Sequence, residues 1–297
     1  MPSRPNRRTR TAPRRRARRG RRPFKATGRF LVRRWKTLRR LINAVLKSPP
    51  GLRAVLIISG LVLLWLGANW AYHAVNKPSE VLFPLDHALN KGPADTWAEY
   101  GPLFREHATA IITADLLAAL AQTEGAGNPV ARTYWRWQPS WNPFEWYRPA
   151  SSAVGMYQIT DGTFDQARRY CIHDHRVVED GPWHDLNSCW FNRLYSRVVP
   201  SHAIELTAAH LDRAVAHALG HRLNGAVTLR QKQDLAAMMH LCGAGAGQDY
   251  VRRGLRLTPH QHCGDHDVQT YLSRITFLKS QFAALAAGGR TLPRISR

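Results

Sequence analysis

TADLLAALAQTEGAGNP (Thr113–Pro129) and, further on, SSAVGMYQITDGTF (Ser151–Phe164) are the stretches on which the fold turns. Thr113 is a suitable N-cap for a helix over Ala114–Thr123. On that helix Leu117, Leu120 and Glu124 fall at i, i+3 and i+7, on one face. A carboxyl group closing an apolar stripe is held near the core, at the negative end of the helix dipole, and both settings favour its neutral form. A neutral carboxylic acid at ordinary pH is what a glycosidase needs to protonate a leaving oxygen. Taken alone, Glu124 reads equally as a solvated residue at a helix end. Further helical patterns run over Thr163–Tyr170, Ala203–Gly220, Leu229–Leu241 and Val268–Ala287. In the last of these Tyr271, Ile275, Leu278, Phe282 and Leu285 keep helical spacing. Alternating strand patterns are scarce. The expected class is mainly α with at most a very small sheet.

The two stretches together resemble the SLT-type lytic transglycosylases, which share a fold with goose-type lysozymes. That family carries a catalytic Glu in an E-S-x-x-N-P-like run, then G-L-M-Q, then A-Y-N-A-G. Here the first reads Glu124-Gly-Ala-Gly-Asn128-Pro129, and the second Gly155-Met156-Tyr157-Gln158 followed by Ile159-Thr160. The third is best matched by Leu241-Cys242-Gly243-Ala244-Gly245. The resemblance covers roughly residues 108–250. It implies a lysozyme-like domain over 108–287 acting on peptidoglycan glycan strands, with Glu124 as general acid and then base. Gly155, Met156, Tyr157, Gln158 and Asn128 would bind substrate, with no cofactor and no metal. Three departures stand out: Gly125 replaces the family Ser, and Cys242 and Gly243 replace the Tyr and Asn of the third motif. In the family that Tyr lies close to the catalytic carboxylate, so Tyr157 or Tyr250 would have to substitute for it. A hydrolase using water would need a second carboxylate, for which Asp161 and Asp165 are the candidates. A glycan-binding scaffold without activity is the reading from another class.

Between Glu124 and Gly155 lies YWRWQPSWNPFEWY (Tyr134–Tyr147), with seven aromatic residues. Flat aromatic faces suit sugar rings, so Trp135 and Trp137 are candidate substrate-binding residues, and Trp135 or Trp137 is expected to be exposed ahead of Trp146. The same residues could instead pack the insertion against the domain, or dock it on a partner protein or a membrane surface.

Before this domain the chain changes character. Of 43 Lys+Arg residues, 20 lie within the first 53 positions, where there is no acidic residue; the rest of the chain carries 23 basic against 20 acidic residues. The net charge of +23 therefore belongs to a tail, which excludes a uniformly basic nucleic-acid-binding domain. Residues 1–29 are Arg-rich and poor in apolar residues, and are expected to be disordered. Over 30–50 Leu31, Trp35, Leu38, Ile42 and Val45 alternate with Arg and Lys as a basic amphipathic helix, suited to anionic membrane lipids. The same arginines suit a nucleic acid or another polyanion. From Ala54 to Asn76 no charged residue occurs, and the 19 residues Ala54–Tyr72 form about 28 Å of helix, which matches a bilayer core. A single span over 54–75, with the basic flank cytoplasmic, places the rest of the chain outside an inner membrane. Residues 76–107 read as a linker and 288–297 as a tail.

All four cysteines follow the span, in the compartment where disulfides persist. Cys171–Cys189 and Cys242–Cys263 are the pairings favoured by proximity. Zinc is the competing use, with His173 and His175 near Cys171, and His260, His262 and His266 around Cys263, but neither cluster has paired CxxC spacing. An outward-facing, anchored wall-cutting domain would suit an envelope-spanning conjugation or secretion complex that must open the wall locally.

Overall fold

The computed structural model describes residues 39–40, 42–85, 87–185, 188–220 and 227–288. The expected disordered tail, most of the amphipathic segment and the C-terminal tail lie outside these residues. The chain divides into two units after Gly67. In the first, Arg39, Arg40 and Ile42–Lys47 are helical, and helix α1 (Pro50–Asn76) begins. Helix α1 is long and apolar enough to cross a membrane, and its most apolar 18 residues are not buried against protein.

The second unit is mainly helical. Its long elements are α2 (Pro93–Glu106), α3 (Ala114–Gly125), α5 (Pro200–Leu219), α6 (Leu229–Arg252) and α7 (Val268–Ala286), with the short α4 (Asp161–Ala167) between α3 and α5. Helix α3 is the axis. Its Ala- and Leu-rich sequence has high helix propensity and no β-branched residue before Thr123, and every residue from Leu116 to Ala121 is buried. It packs on α2 and α7, while α5 packs on α6. The expected linker over 76–107 is corrected by this arrangement. Tyr100 and Phe104 of α2 belong to the core, and Glu80 is fully enclosed, meeting Lys77, Arg132 and the indole N–H of Trp135.

Three two-stranded antiparallel hairpins complete the fold: β1–β2 (Trp135–Trp137, Tyr147–Pro149), β3–β4 (Tyr170–His173, Arg176–Glu179) and β5–β6 (His262–Cys263, His266–Asp267). The expectation of helix through Tyr170 is corrected, because α4 ends at Ala167 and Tyr170 opens β3. The turn there places Asp174 and His175 at φ 48° and 63°, the double left-handed geometry of a tight hairpin. The β3–β4 hairpin is tied to α5 by Glu205, which accepts from Ile172 N and from the Tyr195 hydroxyl.

Both expected disulfides form. Cys171–Cys189 crosses from β3 to the segment after β4. Cys242–Cys263 ties the middle of α6 to the β5–β6 hairpin, immediately before α7. Next to Cys242, Gly243 leaves the helical region (φ 82°, ψ 171°) and breaks α6 into two parts, which is why its pattern fades at Leu241.

Candidate active site

Two backbone features join the sequence motifs. Helix α3 ends at Ala126, whose left-handed φ of 49° lets its N–H reach Ala121 O. The second motif is a tight loop, closed by paired bonds between Val154 and Ile159 and by Gln158 N donating to Gly155 O. These two pieces touch at Gly125, where a Cβ would stand 2.8 Å from Met156 Cα. No serine fits at position 125 without moving backbone. Gly155, at φ 81°, is equally constrained, because a Cβ would fall 2.3 Å from Arg197 O. Arg197 grips the same loop from the other side, donating to Ser152 O and Ile159 O and pairing with Asp161.

Glu124 therefore emerges in the last turn of α3, beside the loop, with its side chain 18 % exposed. Its Oε1 accepts a 2.5 Å hydrogen bond from the Tyr271 hydroxyl of α7 and lies 3.9 Å from His240 Nε2 of α6. Burial, and next the adjacent Glu124, push the Tyr271 phenol well above its ordinary range, so it stays protonated and acts as a donor. Neither of the tyrosines expected near Glu124 is there. Tyr157 is buried and donates to Leu117 O, and Tyr250 packs in the core near Asp234. Cys242 is held in its disulfide, and the phenol beside Glu124 comes from α7. Sequence periodicity hides it, since Tyr271 falls on the apolar stripe of α7 and reads as core.

His240 and Gln158 line a cleft of about 650 Å³, with His210, His217, Leu241 and Gly243 among its other walls. Glu124 adjoins this cleft through His240. Gln158 spends both amide protons on backbone, Nε2 donating to Ala131 O and Gly155 O, which leaves Oε1 as the acceptor it can offer a sugar hydroxyl or amide. Its own φ is 47°, a strained conformation for a non-glycine residue of the kind found at functional sites.

The other expected binding residues have different roles. Asn128 is fully buried, accepting from Val130 N and donating to Asn90, so it shapes the turn after α3. Met156 and Tyr157 are also enclosed, and their side chains support the loop from behind. Trp135 is half-buried by its bond to Glu80 and by His73 and Tyr147. Trp137 is exposed, but so is Trp146. Neither Trp135 nor Trp137 is among the residues that line the cleft. Asp161 is held by Arg197 and Asp165 by Arg168. No Asp or Glu lines the cleft among the described residues.

No protein-family model matches the chain, and no curated protein matches it.

His210, in the wall of the cleft, is pulled down from 6.5 to about 4 by burial and, secondarily, by His240. It stays neutral in the fold while the unfolded chain takes up a proton below pH 6.5. Stability is therefore full above that value and falls as pH drops toward 4. Between pH 7 and pH 5 the loss from this residue is about 2 kcal/mol. Urea unfolding of the detergent-solubilised chain should show His210→Gln losing less stability than the parent over that interval, by about this amount.

Proposed function

We propose that this chain is a membrane-anchored lytic transglycosylase of lysozyme-like fold that cuts the β-1,4 bond between N-acetylmuramic acid and N-acetylglucosamine in peptidoglycan. The observation that carries the reading is Glu124, held by Tyr271 and 3.9 Å from His240, which lines the same cleft as Gln158. Helix α1 would anchor the domain, with the basic N-terminal segment on the cytoplasmic, anionic leaflet and the disulfide-bonded domain on the oxidising side.

Tyr271 donates to Oε1, so the catalytic proton of Glu124 belongs on Oε2. Glu124 gives that proton to the glycosidic oxygen as the C1–O bond breaks, and the N-acetylglucosamine side leaves as an alcohol. The neighbouring 2-acetamido oxygen bonds to C1, which removes the need for a second protein carboxylate. Glu124, now ionised and stabilised by the Tyr271 hydroxyl, takes the proton of the 6-hydroxyl. Oxygen O6 then displaces the acetamido oxygen from C1 and closes the 1,6-anhydro ring, and Glu124 ends protonated as it began. Asp161 is paired with Arg197 and Asp165 with Arg168, so a hydrolytic base would have to leave an arginine partner, which favours this route over hydrolysis. The support supplied by Tyr271 answers the altered third motif, which otherwise favours a scaffold without activity. A local opening of the wall for a conjugation or secretion complex is the role this topology suits.

Release of soluble fragments from purified sacculi should fall about 10²–10⁴-fold in Glu124→Gln, with co-sedimentation on sacculi retained. Tyr271→Phe should lower the rate about 10–100-fold, the loss of one hydrogen bond to a charged group, with little change in sacculus binding. Equal activity in Glu124→Gln and the parent would overturn the assignment.

A further inference from the structure

Within the second unit, the end of α1 and the aromatic hairpin are built as one piece. Asn69 and His73 sit one helical turn apart and are both buried, although they belong to an otherwise apolar helix. Each donates to a hairpin carbonyl: Asn69 Nδ2 to Tyr147 O at 2.6 Å, and His73 Nε2 to Phe144 O at 2.8 Å. Tyr72 stacks on Phe144, and the His73 ring meets Trp135 edge-on. Two polar side chains that would be costly against lipid are thus spent holding the hairpin.

Counted from Ala54, where the uncharged run begins, Asn69 and His73 lie about 22–29 Å along the helix. That is the depth at which a hydrocarbon core of about 30 Å gives way to headgroups. The hairpin fastened at this level turns bulky aromatics outward. Trp141 is fully exposed (104 %), Trp137 and Tyr134 are each 66 % exposed, and Trp146 is 46 % exposed. Arg136 lies exposed among them. Indole and phenol rings with a neighbouring cation are the side-chain chemistry of the membrane–water interface. The cleft has no use for Trp137, which does not line it.

We propose that the face bearing Trp137, Trp141 and Trp146 seats in the outer-leaflet headgroup region of the same bilayer that α1 crosses, an inference that rests on the membrane-anchored reading. The domain is then held by a helix and a hairpin together, which stops it from swinging on a single tether and fixes the direction in which the cleft faces.

The test uses the full chain in nanodiscs of phosphatidylethanolamine and phosphatidylglycerol. All four native cysteines are in disulfides, so an introduced cysteine is the thiol available to a nitroxide label. Pro139→Cys labels the hairpin while keeping every aromatic, Val62→Cys labels the middle of α1, and His184→Cys labels an exposed site elsewhere on the domain. Power saturation against oxygen and a water-soluble nickel chelate reads depth. The expected result is a Pro139 label at headgroup depth, between a deep Val62 label and an aqueous His184 label, and its return to water when Trp137 and Trp141 are also changed to Ser. A deep Val62 label with a Pro139 label as aqueous as His184 would overturn the proposal and leave the anchor standing. An aqueous Val62 label would overturn the anchor and the proposal together. A Pro139 label that is aqueous until peptidoglycan fragments are added, and is then immobilised, would assign the hairpin to glycan instead.

Discussion

The approach of Gly125 to Met156 is the constraint on which the site depends. Helix α3 is buried on all sides, so it cannot shift to make room, and the loop Gly155–Gln158 is gripped by Arg197 from behind. Between two fixed bodies only a residue without a side chain fits. The contact brings the end of helix α3, which carries Glu124, against the loop that carries Gln158, 34 residues further on in sequence. Glycine at position 125 is thus a packing requirement.

A second constraint reaches Glu124 through α6. The Gly243 break in that helix lies beside the Cys242–Cys263 disulfide. That disulfide ties the break to the hairpin that launches α7, and α7 delivers the Tyr271 hydroxyl to Glu124.

Much of this was legible in the sequence, for physical reasons. The long helices announce themselves through apolar spacing of three and four, helix α1 through its lack of charge, and the disulfides through proximity. Glu124 and Gln158 stand out because their neighbours are unusual. What periodicity cannot separate is a tyrosine that fills core from one whose hydroxyl serves a site, and Tyr271 does both. His210 and His240 are hidden in the same way, inside apolar helix faces. Asn128, by contrast, looks chemical in sequence and is a turn residue in space. The aromatic insertion misleads because its residues divide by environment: Trp135 is claimed by the buried Glu80, whereas Trp137 and Trp141 are turned outward. Sequence spacing contains no trace of Glu80, which lies far upstream in a segment that reads as linker.

The central claim is that one carboxyl group, supported by a phenol and served by the substrate's own acetamido and 6-hydroxyl groups, does all the proton transfer. Mass spectrometry of the fragments released from sacculi by the full chain tests it most directly. The account predicts muramic acid ends in the 1,6-anhydro form, lighter than the reducing sugar by one water. Reducing muramic ends, with incorporation of solvent oxygen at C1, would contradict it.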